Sequence, residues 1–180
     1  RTSSQLVPEI SGPVVEVARS FAVGGFFEAG DVLLRIDPYD YRQAVIAGQA
    51  QLAQAELRLA QEEAEAEVAR REWNELGRGN ANALTLRQPQ VDDARAAVAA
   101  AEAALDRADR DLERAEIKAP YAGRVQSKDV DVGQFVTKGN PIARVYAVDS
   151  AEVRLPLPDE QLAYVDVPLS YRGSTQGEGP

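Results

Sequence analysis

The stretch Val23-Gly-Gly-Phe-Phe-Glu-Ala-Gly-Asp-Val-Leu-Leu-Arg-Ile36 decides the fold, because the chain repeats it as Val132-Gly-Gln-Phe-Val-Thr-Lys-Gly-Asn-Pro-Ile-Ala-Arg-Val145. Five of the fourteen positions are identical (Val, Gly, Phe, Gly and Arg), where composition alone predicts about one match. Upstream of each copy, Gly12-Pro-Val14 corresponds to Gly123-Arg-Val125 after a shift of two residues. The chain therefore carries an internal repeat.

Each copy of the repeat is typical of a strand, a turn and a second strand. Gly30-Asp31 and Gly139-Asn140 supply residues that tolerate a positive φ at a tight turn. Alternating apolar residues predict one buried face per strand; in the first copy these residues are Val15, Val17, Val32 and Leu34. Neither copy is large enough to bury a core alone, so the two together predict one flattened β-barrel or sandwich of about 70–80 residues.

Between the two copies the composition changes to Ala, Glu, Arg, Gln and Leu, which predicts helices. Asp37-Pro38 is a good helix start, with Asp as the N-cap and Pro at the first helical position. Apolar residues then recur with spacings of three and four, as along the seam of a coiled coil. The candidate seam residues are Leu52 and Leu59 in the first helix and Val98, Leu105 and Leu112 in the second.

The two helical runs are joined by Gly77-Arg-Gly-Asn-Ala-Asn-Ala-Leu84, which predicts an antiparallel hairpin with its tip near 77–84. Thr85-Leu-Arg-Gln88 matches a capping box and predicts the start of the second helix, with Pro89 in its first turn. The first helix, taken from Pro38 to Leu76, would span roughly 55–60 Å. The sequence therefore predicts a long, thin projection from a small β domain.

The composition excludes several kinds of chemistry. The 180 residues contain no Cys, His or Met, which rules out thiol nucleophiles, imidazole bases and the usual zinc, copper and iron sites within them. The net charge of −9 argues against nucleic acid as the main partner. Acidic pairs such as Glu62-Glu63 and Asp92-Asp93 are typical of a solvated helix face. We therefore assign no catalytic, cofactor-binding or metal-binding residue.

Three stretches resemble the split biotinyl/lipoyl module of the periplasmic adaptor proteins, also called membrane fusion proteins, of the HlyD family. They are Gly12-Pro-Val-Val-Glu-Val17, Gly30-Asp-Val-Leu-Leu-Arg-Ile-Asp-Pro38 and Ile117-Lys-Ala-Pro-Tyr-Ala-Gly-Arg-Val125. The resemblance runs from about Val7 to Val165, and it includes the order of the half-motifs and the hairpin between them. It implies an α+β fold, in which a split lipoyl-like β-barrel or sandwich is interrupted by a long antiparallel α-helical coiled-coil hairpin.

The same resemblance implies a division into domains. The lipoyl-like β domain would comprise 5–37 plus 117–148, and the helical hairpin would comprise 38–116. Residues 149–180 would begin a further β-barrel domain that this chain does not complete. The chain would then be a piece of a longer periplasmic protein, anchored to the inner membrane by an N-terminal segment that is absent here.

Proteins of the family that the chain resembles connect an inner-membrane transporter to an outer-membrane channel, and they support the export of drugs or other toxic small molecules. Ile36-Asp-Pro-Tyr-Asp-Tyr41 and the modest length of the hairpin look like the adaptors of resistance-nodulation-division (RND) pumps. The resemblance implies these two partners and self-association into trimers or hexamers. It implies neither a cofactor, nor catalysis, nor a nucleic-acid partner.

Three other functions remain open at this point. An adaptor of an ATP-driven exporter or of a type I secretion system would be favoured by a longer hairpin. A lipoyl or biotinyl carrier module of an enzyme needs a Lys between its two halves, but Lys118, Lys128 and Lys138 all lie in or beside the second half. A coiled-coil scaffold without a transport role leaves the repeated β halves unexplained.

In the family that the chain resembles, the hairpin tip meets the channel through an Arg, a Leu four residues later and a Ser seven residues further on. Arg71 fits the first position, whereas Glu75 and Asn82 stand at the other two. Leu76 is one residue away and can supply the apolar contact. The candidate docking residues are Arg71, Leu76, Arg78 and Asn82. Arg71 is equally well placed to pair with Glu67, one turn earlier.

Overall fold

The computed structural model describes residues 3–76 and 86–148. The elements in these residues are β1 (Ser3–Leu6), β2 (Gly12–Val17), β3 (Phe26–Phe27), β4 (Val32–Ile36), α1 (Tyr39–Leu76), α2 (Gln88–Glu113), β5 (Glu116–Lys118), β6 (Gly123–Lys128), β7 (Phe135–Val136) and β8 (Ala143–Ala147). The predicted tip at 77–84 and the predicted start of a β-barrel domain at 149–180 lie outside the described residues.

The strands form two four-stranded sheets, and each sheet is built from both copies of the repeat. The strand orders are β1-β8-β6-β3 and β5-β4-β2-β7. Strand β3 of the first copy pairs with β6 of the second, and β7 of the second copy pairs with β2 of the first. Each copy thus completes a sheet of the other. The two sheets with the inserted pair of helices confirm the predicted fold class.

Backbone hydrogen bonds between the two halves occur at equivalent positions of the internal repeat. The Gly24 N–H donates to the Val125 carbonyl at 2.9 Å, and at the equivalent place the Gly133 N–H donates to the Val14 carbonyl at 2.8 Å. Each of these bonds joins one copy of the repeat to the other. The two halves are therefore interlocked by matching contacts, as in a molecule with an approximate twofold axis.

The turns predicted at Gly30-Asp31 and Gly139-Asn140 are confirmed. Gly30 has a φ of 86° and Gly139 a φ of 88°, which side chains with a Cβ rarely adopt. The residue after each glycine closes the turn: Asp31 N–H donates to the Glu28 carbonyl, and Asn140 N–H donates to the Thr137 carbonyl. The same turn is therefore built twice.

The core lies between the two sheets and draws on both copies. Its most deeply buried large side chains are Phe21, Leu33, Leu34, Ile36, Val14, Val125 and Val145. The prediction that Val15 faces the core is wrong, because Val15 is 47% exposed whereas Val14 is only 1% exposed. The register of β2 shifts between Val14 and Glu16, and a bulge of this kind breaks the strict alternation. A similar shift in β4 leaves both Leu33 and Leu34 buried.

The hairpin begins where the sequence places it. The Asp37 carboxylate accepts a hydrogen bond from the Tyr39 N–H at 2.9 Å, so Asp37 caps α1 as predicted. With 38 residues α1 is about 57 Å long, and with 26 residues α2 is about 39 Å long. Between 40 and 75, the residues of α1 at spacings of three and four are buried or half-buried and all others are exposed. The five candidate seam residues, Leu52, Leu59, Val98, Leu105 and Leu112, are half-buried.

Candidate functional site

The hairpin is fastened to the β domain at its root. The Tyr41 hydroxyl, in the first turn of α1, donates to the Ser11 carbonyl just before β2 at 2.8 Å. The Ala115 carbonyl, just after α2, accepts from the Ile36 N–H of β4 at 2.8 Å. Both helices are therefore tied to the sheet that contains β2 and β4.

Two arginines add ion pairs around the root. Arg35 on β4 contacts Glu16 on β2 at 2.8 Å and Glu116 on β5 at 2.9 Å. Its hydrogen bond lowers the pKa of Glu116, so this pair persists at neutral pH and is lost only as the pH falls through the lowered pKa. Arg114, just after α2, contacts Glu9 at 2.6 Å. These partly exposed pairs fix the direction of the side chains more than they stabilise the fold.

The distal part of the described hairpin carries an ionic contact between the two helices. The Arg87 Nη2 atom lies 2.6 Å from Glu62 Oε2 and 2.7 Å from Glu65 Oε2, and both acids belong to α1. The hydrogen bond that Arg87 donates to the Glu62 carboxylate raises the pKa of the Arg87 guanidinium. We call Arg87, Glu62 and Glu65 the tip clasp, because they hold the residue from which α2 starts.

The structure corrects the capping box predicted at the start of α2. Pro89 lies in the first turn of α2, as predicted, but the helix starts only at Gln88, and its N-cap is Arg87 without a side-chain capping hydrogen bond. Arg87 has a φ of 55°, in the left-handed region that residues with a Cβ seldom occupy. Thr85 lies outside the described residues. The sequence contains an indication of this contact. Glu62 stands at a position of the apolar seam, and a half-buried carboxylate there is stabilised by a cation on the opposite helix.

Two further ion pairs link the helices nearer the middle of the hairpin. Arg95 contacts Glu63 at 2.8 Å, and Arg58 contacts Asp93 at 3.3 Å. All four side chains are about half exposed or more, so each pair contributes little to stability. Their contribution is to specify how far α1 and α2 are shifted along each other.

The candidate docking residues lie near or beyond the end of α1. Arg71 is exposed, and its Nε atom lies 3.7 Å from Glu67 Oε1 one turn earlier. Leu76 is the last residue of α1. Arg78 and Asn82 lie outside the described residues. The structure therefore places Arg71 on the exposed surface of the distal hairpin and does not test the set as a whole.

The described residues hold neither a cluster of metal ligands nor a helix that could span a membrane. Across 3–76 and 86–148, no group of three or more acidic, His or Cys side chains could hold a metal ion. Neither α1 nor α2, the helices of these ranges, is long and apolar enough to cross a membrane. What the described part of the chain presents is a rooted helical hairpin with exposed surfaces.

An interlocked β sandwich with a helical hairpin inserted between its halves is the architecture of the membrane fusion proteins. Residues 3–148 match the family described as RND MFP, barrel-sandwich hybrid domain. The chain belongs to this family, which confirms the resemblance inferred from the sequence.

Curated relatives agree with this assignment. The chain is 34% identical over 155 residues to the multidrug resistance protein MdtA of Photorhabdus laumondii subsp. laumondii, a match that covers 81% of this chain and 37% of the relative. It is 31% identical over 154 residues to the protein of the same name from Yersinia pestis, covering 81% of this chain and 33% of the relative. The chain thus spans about a third of the length of these relatives.

Solved structures share the fold. A MacA–MexA chimeric protein, which contains the Pseudomonas aeruginosa MexA α-hairpin domain, is 26% identical with a TM-score of 0.57, covering 80% of this chain and 47% of the chimera. The membrane fusion protein Spr0693 from Streptococcus pneumoniae R6 has a TM-score of 0.63 at 18% identity, covering 93% of this chain and 68% of that protein. At that identity the second likeness concerns the fold alone.

The tip clasp makes a testable prediction. We expect Arg87→Ala to lower the midpoint of thermal unfolding by a few degrees, because Glu62 and Glu65 then face each other without a cation. Arg87→Gly should be the more stable of the two variants, because glycine adopts the left-handed conformation without strain. Arg95→Ala removes a more exposed interhelical pair and serves as the control, with a smaller expected shift. Equal midpoints for Arg87→Ala and Arg95→Ala would contradict the role of the clasp.

Proposed function

We propose that the full protein is a periplasmic adaptor that connects an inner-membrane transporter of the RND type to an outer-membrane channel. In this role it supports the export of drugs or other toxic small molecules and catalyses no reaction. It acts from the periplasm, held at the inner membrane by an N-terminal segment, and associates with copies of itself into trimers or hexamers. Membership of the RND membrane fusion protein family carries this proposal.

The architecture of the described residues supports an adaptor role. Helix α1 is about 57 Å long and so extends far from the β domain. The hydrogen bonds at its root fix the direction in which the hairpin leaves that domain. The curated relatives named above bear the name multidrug resistance protein. The enzyme-carrier alternative lacks a lysine between the two halves of the β domain, where the hairpin stands instead.

The adaptor role is tested by capture of partners from native envelopes. The full-length protein is cross-linked in cells that carry its own pump genes, purified, and its partners are identified by mass spectrometry. We expect a large proton-driven transporter together with an outer-membrane channel. Recovery of an ATPase would move the adaptor to an ATP-driven exporter or secretion system. Recovery of carboxylase or dehydrogenase subunits instead of envelope proteins would refute the adaptor role.

Within this function we propose that Arg71, Leu76, Arg78 and Asn82 contact the channel at the hairpin tip. Arg71 supports this, because it is a mostly exposed cation close to the end of α1, and its 3.7 Å contact with Glu67 is loose enough to be exchanged for a partner. The end of α1 is also the part of that helix farthest from the β domain, which suits contact with a protein in another membrane.

Charge reversal at the tip tests this contact. We expect Arg71→Asp combined with Asn82→Asp to lower the amount of channel that cross-links to the adaptor at least about tenfold, because two new carboxylates replace donors. Far-UV circular dichroism should show unchanged helicity. Arg70→Asp is the matched control, since Arg70 is exposed at the same height on another side of α1. Full cross-linking by the double variant would rule out these docking residues.

A further inference from the structure

A cavity of about 500 Å³ lies at the root of the hairpin, where both helices meet the β domain. We call it the root cavity; its lining comes from the start of β2, the start of α1 and the last turns of α2. Sites for small molecules occupy about 300–1,000 Å³, so the root cavity is large enough to hold one. It lies at the opposite end of α1 from Arg71 and Leu76, and the proposed function gives it no role.

The root cavity is held open by hydrogen bonds between its walls. The Tyr41 hydroxyl donates to the Ser11 carbonyl at 2.8 Å. The Asp37 N–H donates to the Pro13 carbonyl, also at 2.8 Å. All four residues line the cavity, so the start of α1 is fixed to the start of β2 around it. A ligand therefore enters a site that is already formed, and little conformational entropy is lost when it binds.

Two aromatic rings and three methyl groups contribute to the walls. Tyr39 and Tyr41 lie in the first turn of α1, and Tyr39 is 64% exposed, so its ring is accessible to a ligand. The methyl groups belong to Ala44 of α1 and to Ala104 and Ala108 of α2. Side chains this small leave room between the helices, and tyrosine rings stack on the rings of a ligand. The walls therefore suit a molecule with an aromatic body.

The charged side chains of the root cavity select a cation. Within the described residues, its lining includes the carboxylates of Asp37, Asp40 and Asp111 and the guanidinium of Arg107. Asp111 already pairs with Arg114 at 2.9 Å. Asp40 is exposed, and within residues 3–76 and 86–148 its carboxylate forms no hydrogen bond or ion pair. The excess of negative charge attracts a cation, whereas Arg107 opposes a second positive charge on the same ligand.

From its volume, rings and charge we propose that the root cavity binds a small aromatic molecule with a single positive charge. The rings of Tyr39 and Tyr41 attract both the aromatic body and the cation, and the Asp40 carboxylate pairs with the cation. Because the cavity is lined by the β domain and by both helices, the bound molecule ties the hairpin more firmly to that domain. The inference stands independently of the proposed function and assigns a second site to the chain.

Equilibrium binding to the purified, nucleic-acid-free full-length protein tests the site, with ethidium as the probe because it is a planar aromatic monocation. A fluorescence titration should show saturable binding that added salt weakens. Fluorescein, an aromatic anion, should not bind. Asp40→Asn should weaken ethidium binding about fivefold, because it removes the unpaired carboxylate. The matched control is Asp109→Asn, which removes an exposed carboxylate of α2 outside the cavity lining and should leave the affinity unchanged.

A second pair of variants changes the space in the root cavity and leaves its charge as it is. Ala104→Leu adds bulk to the lining and should weaken ethidium binding about tenfold. Its control is Ala103→Leu, since Ala103 is an exposed neighbour outside the lining. Amide hydrogen exchange locates the bound probe independently. Ethidium should increase protection in residues 39–44 of the natural chain and not in Ala104→Leu.

Three results would overturn the inference. Natural affinity for ethidium in both Asp40→Asn and Ala104→Leu would place the probe elsewhere on the protein. Displacement of ethidium by spermidine, a polycation without rings, would show that charge alone attracts the ligand. Absence of saturable binding would show that the root cavity holds no such molecule. This last result would leave the proposed function standing, because capture of a transporter and a channel does not depend on the cavity.

Discussion

Replacing Ile36 by alanine is expected to destabilise the β domain by about 2–5 kcal/mol, because it leaves a cavity in the core to which both copies of the repeat contribute. Ile36 has no exposed surface. Its Cγ2 atom lies only 2.6 Å from where a Cβ on Gly12 would be, so the side chain packs directly on the backbone of β2. The Ile36 N–H also donates a hydrogen bond to the Ala115 carbonyl, just after α2. Amide hydrogen exchange in β4 and β8 measures the loss of stability.

The interlocked sheets also predict where the loss of amide protection should occur. Because β3 and β7 each complete the sheet of the other copy, protection should fall in both sheets together and not in one alone. Val145→Ala, at the equivalent buried position of the second copy, should have a similar distribution of effects. Phe135→Ala is the control, since Phe135 is 68% exposed. Loss of protection confined to the first copy would refute the interlocked core.

The repeat explains why the β fold could be predicted and where the prediction ended. Matching residues at a fixed offset predicted two equivalent halves. The turns at Gly30-Asp31 and Gly139-Asn140 were predictable because a backbone position with a positive φ strongly favours glycine. The exchange of β3 and β7 between the halves could not be predicted, since local patterns do not say which strand a neighbour pairs with. The exposure of Val15 was missed because alternation cannot locate a bulge.

The hairpin was predictable for a different reason. Heptad spacing is a local signal that continues over many residues, so it predicted both helices, and the short connection between them predicted their pairing. The Asp37-Pro38 pair predicted the cap. The start of α2 depends on a contact across the hairpin, and a four-residue capping pattern contains no information on Glu62 and Glu65. The backbone of Arg87 accordingly follows the tertiary contact. The local pattern around Thr85 does not determine it.

Gly25→Ala is expected to destabilise the β domain by about 2–3 kcal/mol through a clash between side chain and backbone. A Cβ at Gly25 would overlap the Ser20 carbonyl oxygen and lie 2.9 Å from the Ala22 carbonyl oxygen. These atoms belong to a rigid turn, in which the Phe21 N–H donates to the Ala18 carbonyl and Phe21 is 1% exposed. The backbone must therefore shift, and chemical denaturation compared with the natural chain measures the cost.

The second copy of the repeat supplies a matched control for this effect. Gln134 stands at the position equivalent to Gly25 and carries a side chain, whose Oε1 accepts from the Asp131 N–H at 2.8 Å. The difference arises because the first copy has two more residues between Gly12 and Gly24 than the second has between Gly123 and Gly133. Those extra residues form the turn over Gly25. Gln134→Ala should therefore cost only about 0.5–1 kcal/mol, the loss of one exposed hydrogen bond.

Deleting two residues from the 18–22 turn should make alanine tolerable at position 25, and continued intolerance there would show that the turn is not the cause.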